Sequence, residues 1–80
     1  MKNERELGAQ PIARFLAERG LKPHDLVEAS AEQLTHKMVA RAAKGRRLTS
    51  NTMGKVVRAF NAATGESRTA EELFDYRPVK

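Results

Sequence analysis

Met53, Val56, Val57, Phe60 and Ala63 fall at spacings i, i+3, i+4, i+7 and i+10. That spacing marks one face of a helix with 3.6 residues per turn. A strand cannot use it, because strand side chains alternate with a period of two. The segment is bounded by Thr49-Ser50, either of which can cap a helix, and by Gly65, which can close one.

Shorter versions of this pattern fill the rest of the chain. Ile12, Phe15 and Leu16 form a stripe within Gln10–Arg19, with Pro11 suited to a first helical position and Gly20 to a stop. Leu21 is expected to fold back on the last turn. Pro23 starts a second helix, His24–Ala29, with Leu26 and Val27 toward the core. Ser30-Ala31-Glu32-Gln33 matches a capping box and predicts a third helix over Ala31–Ala43. Its apolar face is Ala31, Leu34, Met38 and Ala42, with Val39 beside it. Its opposite face is Gln33, His36, Lys37, Ala40, Arg41 and Lys44. Gly45 ends it and is expected to carry positive φ. Leu48 is the one large apolar residue in the Gly45–Ser50 connection and should be buried. Thr69-Ala70-Glu71-Glu72 is a second capping box, opening a short helix that brings Leu73 and Phe74 to the core. No segment alternates as a strand does. The chain therefore reads as all-α, five short helices in one domain over residues 9–76, with a flexible N-terminus (1–8) and a tail (77–80). The expected core contains Ile12, Phe15, Leu16, Leu26, Leu34, Val56, Phe60 and Leu73.

Charge is distributed unevenly over this frame. Residues 33–65 contain seven Lys/Arg (Lys37, Arg41, Lys44, Arg46, Arg47, Lys55, Arg58) and no Asp or Glu. The remainder holds eight basic and ten acidic residues, so it sums to −2 against +7 for the stretch and +5 for the chain. A run of like charges can be no more than a solvated face. Here the charges sit on two helices joined by a Gly-Arg-Arg turn, an arrangement that attracts polyanions.

Other chemistry finds little support. There are no cysteines, hence no disulfide and no thiolate metal site. His24 and His36 stand twelve apart on different predicted helices, and zinc needs three or four converging ligands. They read as solvent-facing or hydrogen-bonded side chains. Thr52-Met53-Gly54-Lys55-Val56 lacks the upstream glycines and the Ser/Thr of a phosphate loop. Glu71 and Glu72 suit a helix start better than acid–base catalysis, and Ser30 and Ser50 read as caps. The expectation is a protein that is not an enzyme, with no metal and no cofactor. No apolar run approaches the roughly 18 residues of a membrane span, and the N-terminus does not resemble a signal peptide, which points to a cytoplasmic protein.

The order around Lys44-Gly45-Arg46-Arg47-Leu48-Thr49 carries a resemblance. A short helix, a basic-Gly-basic turn, a Ser/Thr-capped helix ending in Gly and a short acidic helix ending in Leu-Phe is similar to the phage-repressor-like (Cro-type) helix-turn-helix family, over residues 11–76. The resemblance implies five packed helices, the third entering the major groove of double-stranded DNA and the following turn touching phosphate. His36, Lys37 and Arg41 then fall where that family reads bases. Lys44, Arg46, Arg47, and Thr49, Asn51 and Lys55 at the start of the fourth helix fall at phosphate. Two alignments are open. One runs through Val39 and Ala42 and puts Gln33 at the family's turn glycine, with Glu28 and Glu32 where the family is apolar. The other runs through Leu26 and Val27 and requires about two extra residues before the third helix, so that the turn differs in length or the third helix starts early. The implied function is sequence-specific DNA binding by a small transcriptional regulator. The alternative is a protein-interaction module, an adaptor or antitoxin-like partner whose basic face meets an acidic protein. RNA binding through the same face is disfavoured by the scarcity of aromatics for stacking. If the domain acts as a homodimer, its patch is expected around Phe74 and Tyr76, although Phe74 itself reads as core.

Overall fold

Pro11 opens the first helix because a residue without an N–H costs nothing at a position where that N–H has no intrahelical partner. In the computed structural model, which describes residues 10–45 and 48–75, this helix is α1, Pro11–Glu18. Then follow α2 (Pro23–Ala29), α3 (His36–Lys44), α4 (Ser50–Thr64) and α5 (Ala70–Leu73). The fold is all-α, with no strand among the described residues. The expected N-terminal segment 1–8 and tail 77–80 lie outside them, as does Tyr76.

The local signals mostly hold. Leu21 N–H donates to the Leu16 carbonyl at 2.9 Å, so the chain folds back after α1. The α2 start is closed by Asp25, whose carboxylate accepts from Lys22 N–H at 2.8 Å. At α4 the cap is Thr49, whose hydroxyl oxygen accepts from Thr52 N–H at 3.2 Å. Glu72 reaches back to Thr69 N–H at 2.9 Å to open α5. Gly45 has φ +93°, the left-handed conformation its position requires.

The third helix is the exception. It starts at His36, five residues after the position implied by the Ser30 capping box, and the connection from α2 runs through residues 30–35. Ser30 N–H still closes α2, donating to the Leu26 and Val27 carbonyls. Its hydroxyl oxygen accepts from Glu32 N–H at 3.1 Å, a turn over two residues instead of a cap over three. Glu32 in turn is held from α4, accepting from Arg58 Nε at 2.5 Å and Arg58 Nη2 at 2.7 Å. Gly54, one turn before Arg58, leaves room for this. A Cβ there would stand 3.0 Å from the guanidinium. The cap of α3 is Thr35, which accepts from Met38 N–H at 3.2 Å.

One core joins all five helices. It contains Ile12 and Leu16 of α1, Leu26 of α2, Val39 and Ala42 of α3, Met53, Val56, Ala59 and Phe60 of α4, Leu73 of α5 and Phe74 just after it. Leu34 and Leu48 enter from connections, as expected of Leu48, whereas Leu34 was expected within α3. Phe15, Val27 and Met38 pack against the core half-buried, and Ala31 is exposed. α2 packs on α3 and α4, and α1 on α3 and α5. Among the described residues Gln10 is the buried polar one. Its N–H donates to the Ala43 carbonyl at 3.2 Å and its side-chain oxygen accepts from Asp75 N–H at 2.8 Å, tying α3 to the end of the domain.

Candidate nucleic-acid interface

Because Val39 and Ala42 must face the core, helical geometry turns the opposite side of α3 outward. His36, Lys37, Arg41 and Lys44 are exposed there, with Ala40 half-buried between them. Each is thus on one face, as the sequence implied, although α3 begins at His36 and the face is shorter than expected. Gln33, assigned to the same face, lies in the connection.

The charges on this face are open. Among the described residues, no carboxylate pairs with Lys37, Arg41 or Lys44. Arg41 and Lys44 occupy the last turn, where cations favourably meet the negative end of the helix dipole. Lys37 has no such reason to be where it is. It stands in the first turn, at the positive end of the dipole, and α3 has no acidic residue in that turn. By contrast α2 and α5 open with Asp25 and with Glu71 and Glu72. A cation at a helix start costs some tenths of a kcal/mol to about 1 kcal/mol, and an approaching anion recovers it.

The start of α4 holds the remaining candidate residues. α3 and α4 pack together, and α4 also opens without an acid. Asn51 is exposed and Lys55 half-buried one turn later. Thr49 is exposed, but its hydroxyl is already engaged, accepting from Thr52 N–H and donating to Thr52 Oγ1 at 3.2 Å. Its part at this end is therefore to fix the helix start. Arg46 and Arg47, assigned to phosphate, lie outside the described residues.

Arg58 belongs to the basic stretch but not to its open charge. Its bidentate pair with Glu32 raises the guanidinium pKa and lowers that of the carboxylate, chiefly through the hydrogen bonds themselves, with Lys55 adding to the field on Glu32. The two histidines, read in the sequence as solvent-facing or hydrogen-bonded, are both exposed and come together. His24 Nδ1 lies 3.2 Å from His36 Nε2, and His24 Nε2 lies 3.3 Å from Glu28 Oε2. Spacing in the chain could not show this, because it depends on how α2 and α3 pack. Among the described residues no group of three or more His, Asp or Glu is placed to hold a metal ion.

Elsewhere in the domain, charge is paired instead of open. Arg19 donates to Glu66 through Nε at 2.6 Å and Nη2 at 3.0 Å, and Arg68 Nε donates to it at 2.8 Å. Both guanidinium carbons stand 5.0 Å from the centre of the Phe15 ring. Hydrogen bonds from Arg19 and then Arg68 hold the Glu66 carboxyl down at about 2.

No protein-family model, curated protein or solved structure matches the chain. No helix among the described residues is long and apolar enough to cross a membrane.

Proposed function

We propose that the domain binds double-stranded DNA sequence-specifically, as a small transcriptional regulator of the helix-turn-helix kind, with α3 as the reading helix. The observation that carries this is Lys37. A cation in the first turn of α3, in line with exposed Arg41 and Lys44 and free of carboxylates among the described residues, lowers the stability of the helix unless an anion meets it. Lys37 and Arg41 donate to guanine O6 and N7 in the major groove. Lys44, Arg46, Arg47 and Lys55 neutralise phosphate, and Asn51 bonds to it at the α4 start that Thr49 caps.

The six-residue connection supports a second reading. It exceeds the usual 3–4-residue turn of a helix-turn-helix, as it would in a protein-interaction module that meets an acidic partner through the same face.

Selection from a random duplex pool, followed by titration of the winner and a scrambled duplex at several salt concentrations, separates the two. Arg41→Ala should lower affinity for the winner by about 1–3 kcal/mol and relax one base position. Replacing Arg46 and Arg47 together should weaken both duplexes alike and flatten the salt slope by ~0.9 per lost phosphate contact. A pool without a winner and an affinity indifferent to salt would refute DNA binding and favour the interaction module.

A further inference from the structure

A second stripe runs along α4 beside its apolar one. Asn51, Gly54, Lys55 and Arg58 stand at i, i+3, i+4 and i+7, the spacing of one helix face. Asn51 and Lys55 are already candidates for phosphate. At 1.5 Å per residue, Arg58 lies about 10 Å beyond Asn51 on the same line. Its guanidinium folds back one turn and grips Glu32 of the α2–α3 connection through Nε at 2.5 Å and Nη2 at 2.7 Å. The helix makes room for this folded arm. Gly54 sits in the helix interior, where glycine is weaker than alanine, and its φ is not positive, so the backbone does not require it. A Cβ there would stand 3.0 Å from Arg58 Nη1 and 3.5 Å from Nη2. The guanidinium is the outer member of the pair, with its side chain 59% exposed against 34% for Glu32. Among the described residues nothing accepts from its other hydrogens.

We infer that Arg58 is a further phosphate contact of the α4 stripe, held on Glu32 in the free protein and passed to a DNA phosphate on binding. This rests on the DNA-binding reading above. The planar fork that grips a carboxylate with two hydrogen bonds grips a phosphate in the same way, so the exchange keeps both bonds. An exposed ion pair is worth little in water, so the hold on Arg58 is readily broken. Arg58 and Lys55 both act on the Glu32 carboxylate. An approaching polyanion attracts those two cations and repels Glu32. Glu32 therefore takes the place of a phosphate in the free protein. It cancels one charge of the basic stretch until a duplex replaces it, and every duplex, whatever its sequence, must displace it.

The test uses the full chain as wild type, Glu32→Gln, Arg58→Ala and the double variant. Each is titrated at several salt concentrations with the winner of the duplex selection and with a scrambled duplex. Both side chains are exposed, so the variants should keep the fold, which circular dichroism checks. Arg58→Ala should weaken both duplexes by the same factor and flatten the salt slope by ~0.9. Glu32→Gln should tighten both by about 1.5- to fivefold. In the double variant that gain should vanish and leave the affinity of Arg58→Ala, because Glu32 acts on the duplex through Arg58. A gain that survives the loss of Arg58 is direct repulsion between Glu32 and the duplex, and it overturns the inference. So does an Arg58→Ala slope equal to that of wild type, or a Glu32→Gln affinity no higher than that of wild type, either of which reduces the pair to a brace for the connection. All three results leave DNA binding intact, since wild type still selects a winner. A pool without a winner and an affinity indifferent to salt defeats the DNA-binding reading, and this inference with it.

Discussion

Replacing Phe60 by Ala removes one of the two largest fully buried side chains among the described residues. Its ring is fully shielded from solvent, 6.0 Å from that of Phe15 at a 59° tilt, with the Arg19 guanidinium 5.5 Å from its centre. Large-to-small changes at such sites cost about 3–5 kcal/mol, the transfer of the lost atoms plus the cavity left behind. The upper part of the range applies here, because Phe15 and Arg19 lose a packing surface as well. A chain of 80 residues has about 4–12 kcal/mol of stability at the usual 0.05–0.15 kcal/mol per residue. The substitution thus removes between a quarter and all of it. Urea unfolding followed by far-UV circular dichroism measures the loss. With a slope of about 1 kcal/mol per molar, the midpoint should fall by about 3–5 M, or the variant should be unfolded without denaturant. The thermal midpoint should fall by about 12–40 °C. A loss under about 1 kcal/mol would refute the placement of α4 at the centre of the core.

Gly45→Val should destabilise more than Gly45→Asn, because Asn tolerates φ near +93° and a β-branched residue does not; equal melting temperatures would contradict this. The Glu66 carboxyl, held at about 2 in the fold against an ordinary 4.5, contributes stability that is complete above pH 4.5 and lost as pH falls toward 2. Melting temperature across that window should therefore fall less steeply in Glu66→Gln than in wild type, and parallel curves would exclude the coupling. Gln10→Ala leaves Asp75 N–H without its side-chain acceptor and should cost about 0.5–1.5 kcal/mol. Hydrogen exchange at Asp75 should quicken with it, and unchanged exchange would remove Gln10 from that role.

How far the domain could be read from its residues depended on how local each cause was. The α4 stripe, the stops at Gly20, Gly45 and Gly65, and the reach of Glu72 to Thr69 N–H each act within a turn or two of chain. For that reason four helices and most of the core, including Leu48 and Phe74, were legible in the sequence. The outward face of α3 was legible too, since Val39 and Ala42 can be buried only if Lys37, Arg41 and Lys44 point away. The start of α3 was not. Ser30-Ala31-Glu32-Gln33 is a sound local signal, but Glu32 is taken by Arg58, 26 residues on, and Leu34 is buried from a connection instead of a helix. Thr35 then caps α3 without any acid three residues later to mark it. The partly buried bond from Asp75 N–H to Gln10 spans 65 residues, and the meeting of His24 with His36 depends on α2 lying against α3. Periodicity and capping express the backbone's preferences within a few residues, and these set which helices exist and which side of each is apolar. Partners far apart in sequence meet only once the helices pack, so tertiary structure alone decided where α3 begins and that the two histidines meet.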